Sequence, residues 1–143
     1  MSYNRSFTKI NAIKQPKFDE NSSDQETFAP FILDNCMDSE WKDVRLIFGE
    51  WEWLEENFGT ETFDGYYFNG YGLQGLVMAV RLDANLDVEP ETIHYNSEGD
   101  ICNIHFTEMA EAITTANLAS EMIKDKAQLQ RAIQIARENG FED

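Results

Sequence analysis

The chain has 143 residues, 42% hydrophobic and 13% aromatic, which suits one packed domain and excludes a disordered chain. Its 27 Asp and Glu against 11 Lys and Arg give a net charge of -16. That field repels phosphate backbones and anionic membranes and steers basic proteins towards the surface. Two cysteines without a CxxC exclude a disulfide framework, and no stretch approaches the roughly 18 apolar residues of a membrane span.

Residues 1–27 read as a flexible arm. They carry four basic and four acidic side chains, Pro16, and the polar run Glu20-Asn21-Ser22-Ser23-Asp24-Gln25. Such a segment buries too little apolar area to offset its ordering entropy. Phe7, Ile10, Ile13 and Phe18 are available to pin part of it to the body or to a partner. The start of the chain lacks the apolar run of a signal peptide, and with so few cysteines the expected location is cytoplasmic.

Residues 28–143 form the expected single domain, with 7 basic and 23 acidic residues, so the body carries the whole net charge. The apolar run 28–33 predicts a first strand, with Pro30 pointing to an edge position or a start at Phe31. Asp34-Asn35 supplies turn chemistry. Residues 44–48 alternate and stop at Gly49, a second strand. Trp51, Leu54, Glu55 and Phe58 have helical spacing, with Gly59 placed as a stop. Residues 60–72 read as a loop rich in glycine and aromatics, with Asn69-Gly70 as a turn.

Leu73, Leu76, Val77, Val80 and Ala84 make one apolar stripe, predicting a largely buried helix over 72–85. Residues 92–96 and 101–106 bracket Ser97-Glu98-Gly99-Asp100, a hairpin with a four-residue loop. With Asn96 facing Ile101, one face is apolar and the other carries Thr92, His94, Asn103 and His105, the two histidines as diagonal neighbours. Thr107 is placed to cap a helix with the stripe Met109, Ala112, Ile113, Ala116, Ser120 and Ile123. Asp125 opens a second, with Gln128 in capping-box spacing and the stripe Leu129, Ala132, Ile133 and Ala136. Gly140 and Phe141 suit a Schellman cap. The expected fold is α+β, a small mostly antiparallel sheet packed by helices, in the order β-β-α-α-β-β-α-α.

No catalytic site, metal site or cofactor is expected. Two histidines fall short of the three or four ligands of a zinc site. Neither cysteine has a local nucleophile motif, no GxSxG occurs, and Cys102 reads as a core residue. Gly65, Gly70, Gly72 and Gly75 match neither phosphate-binding glycine motif, and no Lys or Arg occurs from Leu46 to Val80. Close packing and turns explain these glycines. Glu50, Glu52, Glu55, Glu56, Glu61 and Asp64 cluster without a base among them. Such acids are solvated or face a partner, and Glu52 and Glu56 repel each other at i, i+4. Trp51, Trp53, Tyr66, Tyr67, Phe68 and Tyr71 lie beside them, either as core or as interface anchors.

Trp51-Glu52-Trp53-Leu54-Glu55-Glu56-Asn57-Phe58-Gly59, the Asn69-Gly70-Tyr71 turn opening an apolar helix, the hairpin, and the closing Ala136-Arg137-Glu138-Asn139-Gly140-Phe141 together resemble the bacterial polymorphic-toxin immunity proteins of immunity-protein family 51. The resemblance covers roughly residues 28–141. In the family pattern the Asn-Gly-Tyr turn leads into an acidic residue and a tryptophan, where Gly72 and Leu73 stand here. The resemblance implies a small α+β protein that neutralises a cognate toxin in the cytosol by steric and electrostatic blockade. The expected partner is that toxin, a basic nuclease domain, with no nucleic acid or membrane bound and the oligomeric state open. The expected contacts are Glu52, Trp53, Glu55, Glu56 and Asp64, with Asp83, Asp87, Glu89 and Glu91 as a second acidic patch. The alternatives are an acidic cytosolic adaptor, a nucleic-acid mimic and a small hydrolase.

Overall fold

The computed structural model describes residues 13–59 and 65–143. Among them, β1 (Ser23–Asp24), β2 (Ile32–Cys36), β3 (Asp43–Phe48), β4 (Ile93–Tyr95) and β5 (Cys102–Phe106) form one antiparallel sheet in the order β1-β2-β3-β5-β4. The helices are α1 (Trp51–Phe58), α2 (Gly70–Asp83), α3 (Met109–Lys124) and α4 (Lys126–Glu138). This is the expected α+β class, with one further short strand at the start. Period-two alternation places Leu33, Val44, Leu46, Phe48, Cys102, Ile104 and Phe106 on one face, all fully buried with Leu73, Leu76, Ile123 and Ile133 of the helices. The other face carries Asp34, Arg45, Ile47, Asn103 and His105, half-buried.

The extra strand β1 comes from residues expected in the arm. Phe18 packs against the core as expected, and polar clamps add to it. Buried Asp24 accepts the backbone N–H groups of Lys17, Glu26 and Thr27 at 2.7, 3.0 and 3.0 Å. Burial acts to raise its carboxyl pKa, but these hydrogen bonds prevail and the net shift is downward. Asn117 on α3 clasps the backbone of Lys14, accepting from its N–H at 2.8 Å and donating to its carbonyl at 3.1 Å. Residues 1–12 lie outside the described residues.

Three local expectations are corrected. Asp34 and Asn35 sit inside β2, paired with Arg45 and Val44, because the ladder runs on to Cys36 and the turn falls at 37–42. The hairpin closes on the two residues Gly99-Asp100, flanked by the Glu98–Ile101 bridge, so His94 stands directly opposite His105. The shift from the expected register is two residues, which keeps each side chain on its face. Thr107 does not cap α3; its N–H bonds the Thr92 carbonyl at 2.9 Å, and Glu108 takes the N-cap position without a side-chain bond.

The last helix follows its expectation. Asp125 accepts from the N–H groups of Ala127 and Gln128, and Phe141 N–H reaches the Ala136 carbonyl at 2.8 Å, the long bond of a Schellman cap. Helix α2 starts two residues early because Asn69 is its N-cap, accepting from Gly72 N–H at 2.7 Å. Two of its glycines admit backbone from other elements, and Gly72 admits the nearby Tyr67 carbonyl. A Cβ on Gly70 would lie 1.7 Å from the Glu98 carbonyl oxygen, and one on Gly75 would lie 2.3 Å from that of Phe141. The hairpin tip and the C-terminal tail therefore both rest directly on α2.

At the other end of α2, Arg81 is only 1% exposed. Its guanidinium donates to Thr115 Oγ1 at 2.7 Å, to the Asp87 carbonyl at 2.8 and 3.2 Å, and to Glu111 at 2.9 Å. Thr92 donates its hydroxyl to the other oxygen of Glu111. This network ties α2, the 84–92 connection and α3 together. Removing one partner strands buried polar groups, so Arg81→Met is expected to lose about 3 kcal/mol or more of stability in urea unfolding.

Candidate partner-binding surface

Helix α1 hangs from the end of β3 by its aromatic side. Trp51 packs edge-on to Phe48 at 5.3 Å and donates its indole N–H to the Asp100 carbonyl at 2.9 Å. Leu54 is buried. With those side chains inward, Glu52, Glu55 and Glu56 are exposed on the opposite face, and Glu50 is exposed just ahead of them. None of the four has an ion-pair partner among the described residues. Trp53 is half-buried, edge-on to Phe58 at 6.0 Å, and lines an open cleft with Asn57, Phe58, Lys124 and Lys126. Asp64 lies outside the described residues.

The second acidic patch is committed to structure in part. Arg131 grips Asp83 with two bonds of 2.7 and 3.0 Å. The carboxylate of Asp87 accepts Glu89 N–H at 3.1 Å while its carbonyl holds Arg81. Glu89 and Glu91 remain exposed. Each described arginine meets a carboxylate: Arg45 with Asp43, Arg81 with Glu111, Arg131 with Asp83 and Arg137 with Glu142.

The aromatic loop before α2 divides in a way its spacing did not resolve. Tyr66 is buried, donates to the Gly72 carbonyl at 2.5 Å, and has its phenol pushed well above the ordinary range, by burial first. Phe68 packs on it at 5.7 Å. Tyr67 and Tyr71 are 60% and 45% exposed. Trp41, which no sequence pattern singled out, is 64% exposed and lies 5.6 Å from the Arg45 guanidinium.

The histidines and cysteines form no catalytic arrangement among the described residues. His105 Nδ1 lies 3.5 Å from Asp43, and His94 stands opposite. Cys102 is buried and its thiol is pushed up to about 12 by burial. Cys36 is half-buried and also raised, by burial first. A thiol held protonated is a poor nucleophile. No group of three or more His, Cys, Asp or Glu among the described residues is placed to hold a metal. No helix among them is long and apolar enough to cross a membrane.

No protein-family model, curated protein or solved structure gives a significant match to the chain.

Two outcomes follow from this geometry. The pKa of His105 is lowered from 6.5 by burial first, then by Arg45, with Asp43 opposing and His94 adding to the fall. A folded-state value below the unfolded one gives stability that is complete above the unfolded pKa and lost as pH falls through the folded one. The stability gap between the wild type and His105→Gln is therefore expected to shrink between pH 7 and pH 5 in urea titrations. Second, Glu56→Gln relieves the i, i+4 repulsion with Glu52 and is expected to leave stability unchanged or raise it by a few tenths of a kcal/mol, measured by the same unfolding.

Proposed function

We propose that this chain is an immunity-type binding protein that neutralises a basic toxin domain in the cytosol by covering its working surface, without chemistry of its own. The observation that carries this reading is the unengaged acidic face of α1. Glu50, Glu52, Glu55 and Glu56 are exposed close together with no ion pair among the described residues, where each described arginine meets another carboxylate; Lys14 and Lys124 share a cleft with Glu50 but pair with none of the four. The mutual repulsion of these acids costs folding stability, and a positive partner relieves it. A nuclease must present cations to phosphates, so its active surface is the complement. Electrostatic match of this kind raises the association rate and selects the partner. The resemblance to the immunity proteins supports the same role, and the half-buried Trp53 beside the acids suits an aromatic contact.

The adaptor and hydrolase readings gain nothing specific from the site. An adaptor needs no uncompensated face of this density, and a hydrolase needs an activated nucleophile or a paired acid and base.

The test is co-purification with the toxin domain encoded beside this chain, followed by stopped-flow association. The double variant Glu52→Lys, Glu56→Lys is expected to fold normally and to associate about tenfold or more slowly at low salt, with the difference shrinking as ionic strength rises. Unchanged rates in a folded double variant would remove α1 from the contact.

A further inference from the structure

We propose that a basic protein surface is gripped at one end of the molecule, where Tyr67 and Tyr71 stand out of a rim of carboxylates formed by the hairpin tip, the first turn of α1 and the C-terminal tail. The proposal rests on the binding role above and names the anchor of that contact. Printed side by side in the sequence, residues 66–71 look like one aromatic cluster; in the fold they do two jobs. Tyr66 and Phe68 face the core, and Tyr67 and Tyr71 bracket the Asn69 cap with most or much of their surface in water.

Specific contacts bring the rim to these tyrosines. The Gly99 carbonyl accepts Gly70 N–H at 3.1 Å, which sets the hairpin tip against the start of α2. The same tip holds α1, since the Asp100 carbonyl takes the Trp51 indole at 2.9 Å. The tail arrives from the other side, with Asn69 Nδ2 donating to the Asp143 carboxylate at 2.8 Å. Glu52, Glu98, Asp100 and Asp143 are thereby gathered at one end, all exposed. The arginine at this end, Arg137, pairs with Glu142 at 3.0 Å.

Two exposed tyrosines inside an uncompensated acidic border fit a surface rich in lysine and arginine. Tyrosine buries large area with little loss of rotamer freedom, and its ring face attracts a cation. The carboxylates around it supply the pairing and exclude acidic partners. Glu55 and Glu56, one turn further along α1 from Glu52, lie beside half-buried Trp53 and belong to the periphery of such a contact.

The first measurement is a nuclear magnetic resonance titration of the full 15N-labelled chain with an arginine-rich peptide. Amide shifts centred on residues 67–71 and 98–100 are expected; shifts centred on Glu55 and Glu56 or on Glu89 and Glu91, or spread without preference, overturn the proposal. The second uses the cognate toxin domain. The variant Tyr67→Ala, Tyr71→Ala, shown folded by circular dichroism, is expected to bind roughly thirtyfold or more weakly, the loss typical of paired anchor residues. Full affinity in that variant overturns the proposal. If the wild type binds no toxin domain, the binding role fails on its own, and the peptide titration still decides where a cationic surface docks.

Discussion

Backbone against backbone is the constraint on which the arrangement depends. Helix α2 approaches the hairpin tip at Gly70 and the C-terminal tail at Gly75 so closely that any side chain would strike a carbonyl oxygen. At its far end the same helix is fixed by the buried guanidinium of Arg81, shared among Thr115, Asp87 and Glu111. A helix pinned at both ends sets the positions of the elements around it. Because the tip lies on α2, it can also receive Trp51 and so orient α1. The placement of the acidic helix is thus a consequence of two glycines and an arginine that contact no partner.

The acids of this chain divide by whether the fold uses them. Asp24 organises the first loop, Asp125 caps α4, Glu111 neutralises a buried cation, and Asp83 answers Arg131. These carboxylates are spread over the molecule and each has a local task. The acids of α1 and the hairpin tip have no such task among the described residues. The count of 27 acidic residues therefore overstates how much of the acidity is free to act on a partner, and one group of free carboxylates, Glu50, Glu52, Glu55, Glu56, Glu98 and Asp100, lies on α1 and the hairpin tip. Charge that is not consumed by folding is the part that can steer association.

Much of the fold was legible because its helices obey simple periodicity. The stripe of α4 is buried as spaced, as are Leu73, Leu76 and Val77 of α2, while Val80 and Ala84 of that stripe are only half-buried, and the Schellman cap at Gly140 and Phe141 was readable from composition and order. The ordering of residues 13–27 was not legible because polar clamps, from Asp24 and from Asn117 a hundred residues away, join Phe18 in holding them. Asp34 and Asn35 carry turn chemistry but are outvoted by the ladder to β3. The hairpin register turned on whether Gly99-Asp100 makes the turn alone, and the glycine-aspartate pair was the local clue. In the site, spacing placed Glu52, Glu55 and Glu56 together correctly, since i, i+3 and i, i+4 share a helix face. It did not separate Tyr66 from Tyr67, nor reveal that Asp83 is occupied by Arg131, because Tyr66 packs under Arg137 and Asp83 meets a helix that comes later in the chain.

The central claim is neutralisation by occupancy, and stoichiometry tests it most directly. The toxin domain's activity is titrated with increasing amounts of the purified chain, and the complex is then dissociated in high salt and assayed again. Blockade predicts a linear fall to zero at one chain per toxin and full recovery of activity after separation. Inactivation by substoichiometric amounts, persisting after the chain is removed, would mean that the protein alters the toxin chemically and would contradict the account.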